Sequence, residues 1–160
     1  MSYKKLFSLP LFCLFITGCG IAPYISPTEG PKSKVTFTAP IIHETFMANE
    51  DLDLIIFDKS GDCDYQATGK IELEPDVLSQ TFYLPANERA YLKAWYFQNI
   101  FGGGHRKGSF QFYFLAQEEQ EYIVEYIESP GKFKVNTYRL DENKEREAIQ
   151  ITPWWACPKA

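Results

Sequence analysis

From residue 35 onward the dominant period along the chain is two. Val35 and Phe37 alternate with Lys34, Thr36 and Thr38, while Leu52, Leu54 and Ile56 share one face, and Ile71 and Leu73 sit between Lys70, Glu72 and Glu74. The later runs are stronger. Ala90, Leu92, Ala94 and Tyr96 share a face, as do Phe110, Phe112 and Phe114, then Tyr122, Val124 and Tyr126, then Phe133, Val135 and Thr137, with Ile149 and Ile151 continuing near the end. Alternation of this kind puts every second side chain on one side of a strand. Lys59-Ser60-Gly61-Asp62, Gly102-Gly103-Gly104, Ser129-Pro130-Gly131 and Asp141-Glu142-Asn143 supply the turns between runs. Residues 74–80 and 141–148 are the only short helix candidates. The pattern predicts an all-β fold, an antiparallel sandwich or small barrel of about seven or eight strands. Parallel α/β architectures are disfavoured because their crossovers need a dozen or more residues and usually a helix.

The first residues follow another rule. Lys4 and Lys5 precede an apolar run over 6–16, which stops at Thr17-Gly18-Cys19 with no acidic residue before it. A charged start, an apolar middle and a small-residue exit describe a secretory signal. About eleven residues, with Pro10 among them, are too few to cross roughly 30 Å of hydrocarbon as a helix. The quartet Ile16-Thr17-Gly18-Cys19 resembles the lipobox of bacterial lipoproteins. That resemblance implies cleavage between Gly18 and Cys19, a thioether-linked diacylglyceryl group on Cys19 and acylation of the new amine. Two or three acyl chains anchor stably, at about 0.8 kcal/mol per buried methylene, where one chain binds only marginally. Gly20 resembles the neutral second residue of lipoproteins that reach the outer membrane of Gram-negative cells. The expected location is therefore the bacterial envelope, outer membrane rather than inner.

Three regions follow: 1–18 as signal peptide, 19–34 as lipidated Cys and Pro-rich tether, and 35–160 as the sandwich. With Pro23, Pro27 and Pro31, the tether reads as semi-extended and able to hold the domain up to roughly 45 Å from the lipid. At fold level the mature part resembles the small immunoglobulin-like or transthyretin-like sandwiches of envelope lipoproteins, a likeness that carries no function.

Composition narrows the partners. A chain of 45% hydrophobic, 16% aromatic and 23% charged residues has enough apolar material for a core, which excludes wholesale disorder. Two of the 16 basic residues leave with the signal and none of the 21 acidic ones, so the remainder stands at −7. Nucleic acid needs clustered cations and is excluded as a partner. Contact with the membrane is expected through the N-terminal lipid rather than a basic face.

Cys13 leaves with the signal and Cys19 is the lipid site, so Cys63 and Cys157 remain as a pair in an oxidising compartment. A disulfide between them is the expectation. No C-x-x-C occurs, and neither His43 nor His105 lies near them in sequence.

Candidate chemistry is sparse. No Gly-x-Ser-x-Gly elbow is present, and the glycine run before His105, Arg106 and Lys107 lacks the P-loop order. It reads as a hairpin tip carrying a cationic contact loop. Asp58, Asp62 and Asp64 miss the EF-hand template, since Cys63 stands where its glycine is required. No metal site and no cofactor are expected. Tyr91, Trp95 and Phe97 occupy the outward positions of their strand, with Tyr113 on the next. That second apolar face calls either for cover, by the Trp154-Trp155 tail, or for a partner. The reading is a lipid-anchored, non-catalytic binding or assembly module with an envelope protein or glycan as partner. Its binding surface is expected at Tyr91, Trp95, Phe97, His105, Arg106 and Lys107. The alternatives are an envelope hydrolase using His105 and a small-ligand or metal-scavenging module.

Overall fold

A computed structural model of the chain describes residues 20–40, 48–61, 64–129 and 132–154. Ten strands run through them: β1 Lys32–Thr38, β2 Ala48–Lys59, β3 Tyr65–Leu73, β4 Ser79–Pro85, β5 Glu88–Ile100, β6 Gly104–Ala116, β7 Glu121–Ser129, β8 Lys132–Leu140, β9 Arg146–Ala148 and β10 Thr152–Pro153. They form two five-stranded sheets, ordered β4-β1-β7-β8-β9 and β10-β6-β5-β2-β3. The two sheets pack face to face as a sandwich. The inward residues are those the alternation marked, with Val35, Phe37, Leu54, Leu92, Phe112 and Val124 all wholly buried in one cluster. Each large apolar side chain so buried contributes about 1.5–3 kcal/mol.

The sandwich departs from the expected one in three respects. It has ten strands rather than seven or eight, because β9 and β10 span three and two residues, too short to show a period. In β4 only Phe82 and Leu84 point inward, and the exposed Tyr83 between them blurs the alternation. The sheets are not wholly antiparallel either, since β1 runs parallel to β7 in the register Lys34↔Glu121 to Thr38↔Glu125.

Neither helix candidate is helical. Around residue 75 the chain makes a tight turn, Val77 N–H donating to the Glu74 carbonyl at 2.9 Å, and β4 begins at Ser79. At the other, the Asp141 carboxylate accepts the backbone N–H groups of Asn143 and Glu145, both at 2.8 Å. Lys144 then takes the left-handed conformation at φ 64, which ends a turn rather than propagating a helix.

The tether is the largest correction. Residues 22–26 lie across the open side of the sandwich, bridging the edge of β3 in one sheet and the edge of β4 in the other. Tyr24 N–H donates to the Lys70 carbonyl at 2.9 Å, and Lys70 N–H donates to the Ala22 carbonyl at 3.0 Å. Across the gap, the Tyr24 hydroxyl donates to the Tyr83 carbonyl at 3.1 Å, and Tyr83 N–H donates to Ser26 Oγ at 2.9 Å. The Tyr24 ring meets Phe82 edge-on at 5.8 Å. Burial, then the nearby charges of Asp58 and Glu88, push the Tyr24 hydroxyl up to about 12. An extended, proline-rich chain keeps its backbone groups unpaired, which suits it to cap a sheet edge. Gly69 makes the approach possible, because a Cβ there would overlap the Tyr24 backbone.

Gly69 also follows a bulge. Ile56 pairs with Gly69 and Phe57 with Ala67, so Thr68 is the extra residue. The insertion turns β3 over. Gly69, Ile71 and Leu73 face the core, whereas Tyr65 faces out, where it stacks on Trp154 beside Phe57.

A candidate binding face on the β5–β6 ribbon

The outward residues of β5 are Tyr91, Lys93, Trp95 and Phe97, and β6 sets Tyr113, Gln111, Ser109 and Lys107 directly opposite them. On the other flank β2 contributes Phe57, Ile55, Asp53 and Asp51 in the same order. The register thus makes one continuous outer face. The structure divides it into a covered half and an open half.

Trp154 covers the first half. The indole stacks on Tyr65 at 4.3 Å between ring centres and meets Phe57 at 5.3 Å and Tyr91 at 6.0 Å, both edge-on. Its Nε1–H donates to the backbone carbonyls of Phe112 at 2.9 Å and Leu92 at 3.2 Å. The ring is 6% exposed and leaves Tyr91 at 7%. Pairing of Thr152 with Tyr113 and Pro153 with Phe112 delivers it there. Tyr91, expected in the binding surface, is therefore part of a closed aromatic cluster. Its neighbour Tyr113, 5.3 Å away, carries the Arg89 guanidinium over its ring, also at 5.3 Å.

The second half stays half-exposed. Lys93 Nζ stands 5.1 Å from the centre of the Trp95 ring, and Phe97 stacks on His105 at 5.9 Å with the planes 24° apart. Asp53 flanks Trp95, and Asp51 and Lys107 flank Phe97. Beyond them Lys70 Nζ bonds Asp53 at 3.2 Å and Glu72 at 2.7 Å. Burial raises the Asp53 carboxyl, and its hydrogen bond to Lys70 only partly reverses this. Burial draws Lys70 down, but bonds to Glu72 and Asp53 outweigh it and leave the ammonium raised. One amine shared by two carboxylates explains why Asp53 receives less than full compensation. The result is a row of rings with the Asp53 and Asp51 carboxylates on the β2 side, the Lys93 amine over Trp95 and the Lys107 amine beside Phe97, suited to a partner offering apolar faces and polar edges.

His105, Arg106 and Lys107 do not form a loop, as expected from sequence, but open β6. The turn itself lies at Phe101, Gly102 and Gly103, with Gly102 and Gly104 at φ 73 and 95. Strand alternation then separates the trio. His105 and Lys107 join the outer face, whereas Arg106, opposite Gln98, lies on the other side. Beneath the open half, Glu50 is buried and accepts from the Tyr96 hydroxyl at 3.2 Å and Gln98 Nε2 at 2.6 Å. These hydrogen bonds tie β2 to β5 beneath the open half, while Gln98 Oε1 is buried there with no hydrogen-bond partner among the described residues.

Of the other sequence candidates, Asp64 accepts the Ser60 hydroxyl within its turn. Cys19, His43, Asp62, Cys63, Trp155 and Cys157 lie outside the described residues. Among the described residues no three His, Cys, Asp or Glu side chains converge for a metal ion, and no helix is long and apolar enough to cross a membrane. Sequence reasoning missed Phe57, Tyr65, Lys93 and Asp53. The signal for Tyr65 was Gly69 inside a strand pattern, a mark of a bulge. No protein-family model, curated protein or solved structure matches the chain.

Proposed function

We propose that the protein is a lipid-anchored envelope module that binds its partner without turning it over, and that the contact face is the open half of the β5–β6 ribbon. The observation that supports this is the half-exposed row of Trp95, Phe97 and His105, left uncovered beside a cluster that Trp154 seals. Aromatic rings presented on a rigid sheet lose little entropy on binding and dominate contact energetics. His105, stacked on Phe97 at an exposed strand end, serves this face as a contact. The partner is an envelope protein or glycan, reached from a membrane held through lipid on Cys19.

Chemical cross-linking of the wild type in detergent-solubilised bacterial envelope, with a parallel sedimentation assay on purified peptidoglycan, tests the face. Trp95→Ala is expected to lower partner recovery at least about tenfold, as for a central aromatic hot spot. The exposed Leu115, changed to Ala, should leave recovery unchanged. Equal recovery with Trp95→Ala and wild type would remove this surface from consideration.

A further inference from the structure

Once residues 22–26 are docked, the free chain from Cys19 through Ile21 is only three residues long. At about 3.3–3.6 Å per residue, that reaches roughly 10 Å, against the roughly 45 Å of an undocked polyproline tether. Within the docked segment the alternation of a strand persists. Tyr24 and Ser26 turn toward the sandwich, while Ile21, Pro23 and Ile25 turn away from it. Ile25 is 84% exposed and Ile21 39%. An apolar row of this kind, on a segment tied down by four hydrogen bonds, faces outward within a few residues of the attachment point.

We infer that this segment is a rigid strap that seats the domain directly on the bilayer, with Ile21, Pro23 and Ile25 at the boundary of headgroups and acyl chains. The inference rests on the lipid-anchor reading of Cys19 and adds an orientation to it. Isoleucine side chains carried at an acylated terminus reach the first 5–10 Å of that boundary, where apolar burial strengthens attachment. The mature chain's charge of −7 supplies no electrostatic attraction to anionic lipid, so the apolar row is the contact. Asp58 and Glu88, close enough to act on Tyr24, oppose deeper immersion. Seating at this edge also fixes the far end of the molecule. β3 and β4 are edge strands and β10 and β9 are the opposite edges of the same sheets, so seating at the strap turns β9 and β10 away from the membrane, and the Phe101 turn, carried two strands in from the β3 edge, stays clear of it.

The test uses the acylated protein in vesicles of phosphatidylethanolamine and phosphatidylglycerol, with a diazirine side chain at position 25 or at position 101, where Phe101 is 75% exposed. Lipid adducts at 25 and not at 101 are expected. Equal labelling at both, or none at 25 on protein whose intact mass shows acyl groups, would overturn the orientation. An intact mass without acyl groups would take away the anchor itself, and the orientation with it. The strap is separable from both. In the non-acylated Cys19→Ser protein the Tyr24 and Lys70 amides should exchange hydrogen about a hundredfold more slowly than unprotected amides, and Gly69→Ala should abolish the slowing at Tyr24. Exchange of Tyr24 at the unprotected rate in the Cys19→Ser protein would show an undocked tether and refute the strap.

Discussion

Trp154→Ala is expected to lower stability by about 3–5 kcal/mol, the range for removing a buried indole whose surroundings collapse only in part. The loss has two sources. One is the contact of the ring with Phe57, Tyr65 and Tyr91, which become open to water together. The other is the Nε1–H donor that the Leu92 and Phe112 carbonyls share. Trp154→Phe separates them, since it keeps most of the apolar contact and deletes the donor, at about 1 kcal/mol. In thermal unfolding followed by circular dichroism, the Ala variant should melt on the order of 10 °C lower. A change under about 2 °C would mean that the indole does not seal this face. The newly opened rings should also bind a hydrophobic dye in the Ala variant and not in the wild type.

Comparable in size is the effect of the proposed Cys63–Cys157 bridge, because it closes a loop of about 95 residues, for which chain entropy sets an upper guide of roughly 4 to 5 kcal/mol. Both cysteines lie outside the described residues, and the support comes from their neighbours. Tyr65 is two residues beyond Cys63, Trp154 is three residues before Cys157, and the two rings stack at 4.3 Å. A disulfide needs its Cα atoms about 4.4–6.8 Å apart, and the Tyr65–Trp154 stack brings together residues close in sequence to each cysteine. Oxidised wild type should melt well above the reduced form, while Cys63→Ala should melt near the reduced value with or without dithiothreitol. If reduction left the wild-type Tm unchanged, the bridge would not exist. A bridge would couple the two effects, because the stack joins Tyr65, which opens β3 two residues after one cysteine, to Trp154, three residues before the other. In Trp154→Ala the drop on reduction should therefore differ from wild type, a non-additivity that a double-mutant cycle reads directly.

How far the sequence shows this fold depends on which forces act locally. Strands with three or four inward residues, such as β5 with Ala90, Leu92, Ala94 and Tyr96, declare themselves because burial on one face imposes a period of two. The short β9 and β10 carry no such constraint, and β4 hides behind the exposed Tyr83. The division of the outer face was open in the sequence, where Tyr91, Trp95 and Phe97 look equivalent. Only the arrival of Trp154 from 59 residues beyond Trp95 makes Tyr91 interior and leaves Trp95 at the surface. The strap was illegible for a related reason. Pro23, Pro27 and Pro31 describe an extended chain equally well whether water or a sheet edge satisfies its backbone, and the choice is made by Gly69 and Tyr83, distant in sequence. The glycine run signals a turn without marking its end, so the sequence pattern carries the turn on into His105, Arg106 and Lys107; strand pairing from Gly104 ends it.

The proposed anchor, the proposed envelope location and the proposed orientation on the bilayer all depend on the chemical state of Cys19. Intact-mass spectrometry of the protein extracted from bacterial membranes measures that state directly. The expected species begins at Cys19 and carries a diacylglyceryl group on sulfur together with an acyl chain on the terminal amine. A chain retaining Met1, or one cut before an unmodified Cys19 and recovered without membrane, would contradict it.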